Sequence, residues 1–293
     1  MERGGLIERI YEAAFISEMW PDVLRSLAEI SGSAIGSLLV FSTRAPPFAR
    51  STAAFDQEAV RAMSSPGWMI SAADRAAAYA GHRGFYVTSD LLTDAMRARD
   101  AIGAFMKQRD FGEQASARIE LPTSESAVFT FDRRLADGRH APGQIDILNS
   151  FMPDLSRATL VAARLGVAKA QSTVAALQLI GLPAAVMTRY GVVLATNRGF
   201  DALADLFVAV ADGGLAILDA AANRLLKSAV EHAGLGDGVV SSIPIRREER
   251  TPLVVHVAPL KRGARDIFGG ADLLLAVTEV AVGGATPSAA ILT

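Results

Sequence analysis

The residues to weigh first for chemistry are four histidines, His82, His140, His232 and His256. Zinc and metalloprotease sites need such side chains at short spacings, as in HExxH or HxH, or with thiolate partners. None of the four stands in such a pair and the 293 residues include no cysteine, so no metal site is expected. The chain has no GxSxG elbow and no GxxxxGK[ST] phosphate loop. Gly234-Leu-Gly-Asp-Gly238 is glycine-rich, but it leads into a strand-like run and lacks the helix N-terminus that holds phosphate. Asp90, Asp94 and Asp100 fall at helix boundaries, where exposed carboxylates cap and solvate. Arg246-Arg-Glu-Glu-Arg250 mixes both signs, as a solvated hairpin turn does, and makes a poor nucleic-acid patch. No catalytic residue is assigned and no enzyme is expected.

What remains is suited to binding. Trp68, Tyr86, Phe105, Phe129 and Phe131 either line a cavity or fill a core in the first half of the chain. Val186, Leu194, Phe200, Leu215, Ile217, Leu226 and Val255 form a corresponding apolar set in the second half. Of these, Val186, Leu194, Phe200, Ile217 and Val255 are the ligand-binding candidates, slightly favoured over the first half. His256 is either their one polar contact or simply a half-buried strand residue. Such uncharged walls suit a small, mostly apolar ligand, because burying an unpaired charge costs several kcal/mol. A fully packed core is the alternative. Haem or flavin would want a well-placed His or Cys, so no cofactor is expected.

These residues need elements to position them. Leu6, Ile10, Ala14, Phe15, Leu24, Leu27 and Ile30 predict a helical N-terminus with a break at Trp20-Pro21. Strands are expected at Ser37–Thr43 and Ser51–Phe55, with Ala45-Pro-Pro as the loop between them. Helices are expected at Gln57–Met63, Ala72–Tyr79 and Asp94–Gln108, a strand at Phe85–Asp90, and a hairpin from Ala115–Leu121 and Ala127–Phe131. A helical tract then runs from about Gly143 to Ile180, kinked or restarted at Pro153. Leu148, Met152 and Leu155 form an apolar seam on it and are the candidate dimer interface.

The stretch Leu182 to Asp201 follows. Ala185-Val-Met187 is a strand, Thr188-Arg-Tyr-Gly191 a turn, Val192-Val-Leu194 a second strand, and Asn197 precedes a helix starting near Phe200. That helix extends to Phe207. Leu215-Ala-Ile-Leu218, a helix over Ala220–His232, and strands at Val239–Arg246, Pro252–Leu260 and Asp272–Val280 complete the pattern.

Composition sets the bounds. Apolar residues make up 51% and charged residues 20%, which is globular, and the length admits two cores. A net charge of −2 supplies no general basic field for nucleic acid. The absence of cysteine fits a reducing, cytoplasmic setting. The uncharged run Ala170–Thr188 is broken by Gly181 and Pro183 before it reaches membrane-spanning length.

The strand–turn–strand–Asn–helix opening resembles a PAS sensor domain, and the mixed first half resembles a GAF-like one. Ile10-Tyr-Glu-Ala-Ala-Phe15 and Trp20-Pro-Asp-Val-Leu24, together with Leu27, resemble the start of a group of bacterial LuxR-type helix-turn-helix regulators. Leu182-Pro183, Gly191, Asn197, Gly214-Leu215 and Pro252-Leu-Val-Val-His-Val-Ala-Pro-Leu260 carry the resemblance through the second half. Thr188 stands where that group often has Asp. Members usually continue into a DNA-binding domain that opens with a sequence like LTPAEARV, whereas this chain stops at Ile291-Leu-Thr293.

The resemblance implies an α+β chain. It has a GAF-like sensor domain at 1–150, a connecting helix at 151–180, a PAS-like domain at 181–282 and a linker at 283–293. The implied role is ligand sensing and dimerisation, relayed through the long helix, as a homodimer with no DNA binding by this chain alone. The alternative is a dimerisation or protein-interaction module without a small ligand.

Overall fold

The computed structural model describes residues 3–42, 45–51, 62–63, 65–121, 125–188, 191–210, 213–235, 239–247, 250–260 and 272–280. They divide into two compact units, one reaching Leu165 and the other starting at Gly166. No helix among the described residues is long and apolar enough to cross a membrane.

The first unit opens with α1 (Arg3–Phe15), a 3-10 turn (Ser17–Met19) and α2 (Trp20–Ile30). The break expected at Trp20-Pro21 falls instead at Ile16, which leaves the helical region. Pro21 sits in the first turn of α2, where its missing N–H costs nothing. Next come β1 (Ile35–Ser42), β2 (Ala45–Ser51), α3 (Pro66–Ala78), β3 (Tyr86–Val87), α4 (Thr88–Leu91), α5 (Asp94–Ala98) and α6 (Ala101–Lys107). β4 (Phe111–Glu120) and β5 (Ser126–Arg134) form the expected hairpin, and α7 (Pro142–Leu179) follows.

Several expectations are corrected. Ala45-Pro-Pro is no loop, because it begins β2. Two prolines are tolerated there because β2 is an edge strand. The strand expected at 51–55 and the helix at 57–63 lie almost wholly outside the described residues. The strand at 85–90 shrinks to β3, since the chain turns into α4 at Thr88. The helix at 94–108 is split at Arg99 and Asp100. α7 does not restart at Pro153, since one helix runs through it.

The first sheet is antiparallel throughout, in the order β2-β1-β5-β4-β3. One face is apolar. Leu38 and Val40 of β1, Ala115, Ala117 and Ile119 of β4, and Phe129 and Phe131 of β5 pack with α1, α2 and α7. At Gly36 the approach is so close that a Cβ would lie 2.7 Å from the Leu24 carbonyl oxygen and 2.8 Å from the Phe131 ring.

Leu148 and Leu155 are fully buried in this core and Met152 packs against it. The same helix face is tied to α1, where the Tyr11 hydroxyl meets Asp154 at 3.0 Å and the Arg3 guanidinium lies over the Phe151 ring. The seam expected to await a second copy is therefore filled within its own unit.

The second unit contains β6 (Ala184–Met187), β7 (Val193–Thr196), α8 (Arg198–Asp201), β8 (Phe207–Val210), β9 (Gly214–Ile217) and α9 (Ala220–Leu235), then β10 (Ser241–Ile245), β11 (Leu253–Pro259) and β12 (Leu273–Glu279). The helix expected to reach Phe207 is a single turn, and β8 and β9 form a small hairpin of their own. The main sheet runs β10-β11-β12-β6-β7, again antiparallel. With only its own strands numbered, each five-stranded sheet has the order 2-1-5-4-3.

The stretch expected to be strand, turn, strand and cap has that form. Gly191 takes φ +79, its amide donates to the Thr188 carbonyl, and Thr188 and Val192 are paired. Asn197 is buried and makes four side-chain bonds. Its Oδ1 accepts from Ala184 N (3.1 Å) and Phe200 N (3.0 Å), and its Nδ2 donates to the Val174 (3.2 Å) and Leu182 (2.9 Å) carbonyls. Asn197→Ala should cost about 2–4 kcal/mol, since it strands several buried backbone groups at once. Asn197→Asp should recover little, because it keeps the acceptor but loses both donations. Urea melts of both variants check this, and a loss below about 0.5 kcal/mol would show that water replaces the amide.

Candidate functional site

The second face of the first sheet is polar and yet covered. Gln114, Ser116 and Arg118 alternate with the buried alanines of β4, and Thr130 and Asp132 alternate with the phenylalanines of β5. Ser116, Thr130 and Asp132 are buried. α3 answers with a stripe of the same character. Trp68, Ser71, Arg75 and Tyr79 recur at helical spacing and all four are buried. The Ser65 hydroxyl caps this helix by accepting from Trp68 N.

The two surfaces are joined by a continuous hydrogen-bond network. Arg75 donates from Nε (3.3 Å) and Nη2 (2.7 Å) to the two oxygens of Asp100, and from Nη1 to Gln114 Oε1 at 2.6 Å. Gln114 Nε2 donates to Asp132 Oδ1 at 2.8 Å. Ser116 Oγ donates to Gln114 Oε1 and is paired with Thr88 Oγ1, which in turn meets the Tyr79 hydroxyl. Asp100 is thus not the solvated capping carboxylate that its place in the sequence suggests. It is a largely buried partner of Arg75, while Asp90 and Asp94 do lie at the surface in ion pairs.

The Tyr86 hydroxyl has no partner among the described residues, and neither has Trp68 Nε1 at the start of the α3 stripe. Tyr86 lies on the polar face, since it is in register with Ser116 and its ring meets that of Tyr79 at 5.0 Å. Burial drives its hydroxyl pKa upward, so it stays a neutral hydroxyl.

Asp132 feels its burial as well. Desolvation pushes its carboxyl up to about 6, against the pull of Gln114 and Arg75. His140, whose Nε2 meets Ser33 Oγ at 2.9 Å, is pushed down to about 4 by burial and by Arg133.

The two shifts oppose each other. Between about 6 and 3.8 the native Asp132 keeps a proton that the unfolded chain has released, so its contribution to stability rises as pH falls. Between 6.5 and about 4 the unfolded chain protonates His140 while the native chain does not, so that contribution falls over nearly the same window. Asp132→Asn should therefore be more stable than the parent at pH 7 and lose stability more steeply on acidification to pH 4.5. Thermal melts across that range check this, and parallel curves for the two proteins would contradict it.

The residues singled out from sequence scatter over several environments. Phe129 and Phe131 belong to the apolar face of the first sheet. Trp68 packs with Met63, Ile102 and Phe105. In the second unit, Phe200, Ile217, Leu226 and Val255 share one core, against which Leu215 packs. Val186 lies in another core with Ala170 and Val174, and Leu194 packs against it. Alternation along β6 and β11 explains the separation: Ala185 and Met187 face the first of these cores and Val186 the second, and His256 points away from Val255. His256 is half-buried, with Nδ1 3.0 Å from Ser242 Oγ and Nε2 2.9 Å from Thr278 Oγ1. The six ligand candidates therefore do not form one wall.

Sequence reasoning passed over Arg75, Gln114, Ser116, Thr130 and Asp132. The usable signal was in α3, where a stripe of Trp, Ser, Arg and Tyr faces the alternating polar positions of β4 and β5.

No family model matches this sequence, and no curated protein matches it. Among solved structures it is similar to the VqsR LBD domain from Pseudomonas aeruginosa. That likeness has 9% identity and a TM-score of 0.47, and covers 55% of this chain and 95% of the other. It is also similar to Escherichia coli SdiA, at 16% identity and a TM-score of 0.33, covering 53% of this chain and 60% of SdiA. SdiA in complex with octanoyl-rac-glycerol is similar at 17% identity, with a TM-score of 0.35, 56% of this chain and 61% of that one. All three TM-scores lie below 0.5.

Proposed function

We propose that this chain is the signal-receiving region of a bacterial transcription regulator, and that it receives a small molecule on the polar face of the first sheet. The observation that carries this reading is the buried network from Arg75 to Asp132, with the Tyr86 hydroxyl left unpartnered on the same face. Buried polar groups are nearly always satisfied, and a core built only for stability gains more from apolar side chains. A face that keeps so many polar groups and leaves the Tyr86 hydroxyl unpaired is suited to a ligand that pairs it. The favoured site thus moves from the second unit to the first. The resemblance of Ile10–Phe15 and Trp20–Leu24 to LuxR-type regulators supports the regulatory role.

The chain is read as a cytoplasmic receiver and not as a catalyst. The network contains no histidine and no activated nucleophile, and it needs no cofactor. The two units are read as GAF-like and PAS-like, with α7 as the relay. Residues of α7 contribute to cores on both sides of Gly166, Leu155 to one and Val174 to the other. A ligand shifts such an element only by binding one packing of it more tightly than another. The working form is a homodimer whose contacts lie away from the Leu148 seam.

Native mass spectrometry of the purified chain tests the reading. A retained or added small molecule is expected at one per chain, lost in Ser116→Phe, which fills the polar face, and kept in His256→Ala. A ligand lost only in His256→Ala would assign reception to the second unit.

A further inference from the structure

The buried face is unbalanced in charge. It holds two guanidiniums, Arg75 and Arg118, and three carboxylates, Asp100, Glu120 and Asp132. Arg75 directs three of its five N–H groups to both oxygens of Asp100 and to Gln114 Oε1, and none to Asp132. Arg118, the other cation on this face, is occupied by other groups. Its Nε and Nη2 donate to Ser126 Oγ, its Nη1 to the Ala76 carbonyl, and it pairs with Glu120 at 2.8 Å. Asp132 is left with one protein hydrogen bond, from Gln114 Nε2 to its Oδ1. Its Oδ2 has no partner among the described residues, nor has the neighbouring Thr130 hydroxyl.

Register places these groups together. Tyr86, Ser116 and Thr130 form one row across β3, β4 and β5, and Gln114 and Asp132 form the next. The face therefore offers a carboxylate oxygen and two hydroxyl oxygens in adjacent rows, next to the rings of Tyr79 and Tyr86. An alkylammonium carries three N–H donors and a positive charge, and aromatic faces attract it further. A neutral head group would leave the excess negative charge unpaired, and an anionic one would add to it.

We propose that the molecule received on this face is a small organic cation, a primary ammonium on an apolar body, and that its head group pairs with Asp132. The proposal rests on the reading that the polar face of the first sheet is the ligand site. Binding then competes with the proton that Asp132 takes up as pH falls. The titratable and charged groups facing it are Arg75 on α3, Tyr79 at the C-terminal cap of that helix, Tyr86 on β3, Asp100 at the entry to α6 and Arg118 on β4.

Calorimetry on the whole chain, with cyclohexylammonium and its uncharged isostere cyclohexanol as probes, tests this. At pH 7.5 the ammonium should bind at least tenfold more tightly than the alcohol. Its affinity should fall about tenfold per pH unit once the pH drops below about 6. Asp132→Asn, in which the Asn oxygen still accepts from Gln114, should remove both the preference and the pH dependence. Equal binding of the two probes, binding that ignores pH, a preference that survives in Asp132→Asn, or no ammonium binding at millimolar concentration would each overturn the proposal. If the alcohol alone binds and Ser116→Phe abolishes it, the site stands and its cationic ligand falls. If the ammonium binds and neither Ser116→Phe nor Asp132→Asn alters it, both fall together.

Discussion

Leu148→Glu should unfold the first unit and not merely dissociate a pair of chains. Leu148 is fully buried among Phe151, Leu155 and the residues of α1, α2 and the first sheet. A carboxylate placed there has no partner, and burying an unpaired charge costs several kcal/mol, a large share of a typical 5–15 kcal/mol of stability. At about 2–4 °C per kcal/mol for a domain of this size, the melting temperature should drop by roughly 10 °C or more. Circular dichroism and limited proteolysis would read the loss directly. An unchanged melt with a halved mass in light scattering would return Leu148 to an interface between copies.

Arg75→Met should be nearly as damaging, by a different route. The methionine keeps much of the length and packing of the side chain, but Asp100 and Asp132 are left buried without their cation. Removing one partner of a buried pair typically costs about 3–5 kcal/mol. Arg75→Met/Asp100→Asn should recover some of that loss, because the second change removes the abandoned charge. Urea denaturation of the two variants and the parent measures both effects. A cost below about 1 kcal/mol for Arg75→Met would mean that water already screens the network.

Much of this architecture was legible wherever sequence pattern and environment agree. β10 and β11 alternate cleanly, and Asn197 stands in a stretch whose turn and cap chemistry are local. All three final strands emerged within two or three residues of their expected bounds. The misreadings occur where tertiary surroundings overrule the local signal. Pro46 and Pro47 read as a loop, and only the position of β2 at a sheet edge makes them tolerable. The Leu148 seam reads the same whether its partner is a second chain or α1, because periodicity reports that a face is buried and not what buries it.

The candidate site was hidden for a related reason. Gln114, Ser116, Thr130 and Asp132 alternate with apolar residues, which ordinarily marks the watery side of a sheet. Only the matching polar stripe of α3, some forty residues earlier than β4, shows that this side is covered.

The strand order 2-1-5-4-3 has a consequence for how the chain is made. In each unit the first strand to be synthesised pairs with the last, as when Leu38 meets Phe129 and Val186 meets Leu274. Each pairing spans about 90 residues of nascent chain, and at roughly 5–20 residues per second a ribosome takes about 5–20 s to deliver the second partner. During that interval the apolar run of β1, Leu38-Leu-Val-Phe41, has only β2 to pair with and no completed core to enter. Nascent copies on one crowded message therefore carry sticky strands for seconds at a time. Yield in the cell should depend on chaperone supply and translation speed more steeply than the finished fold's stability would suggest.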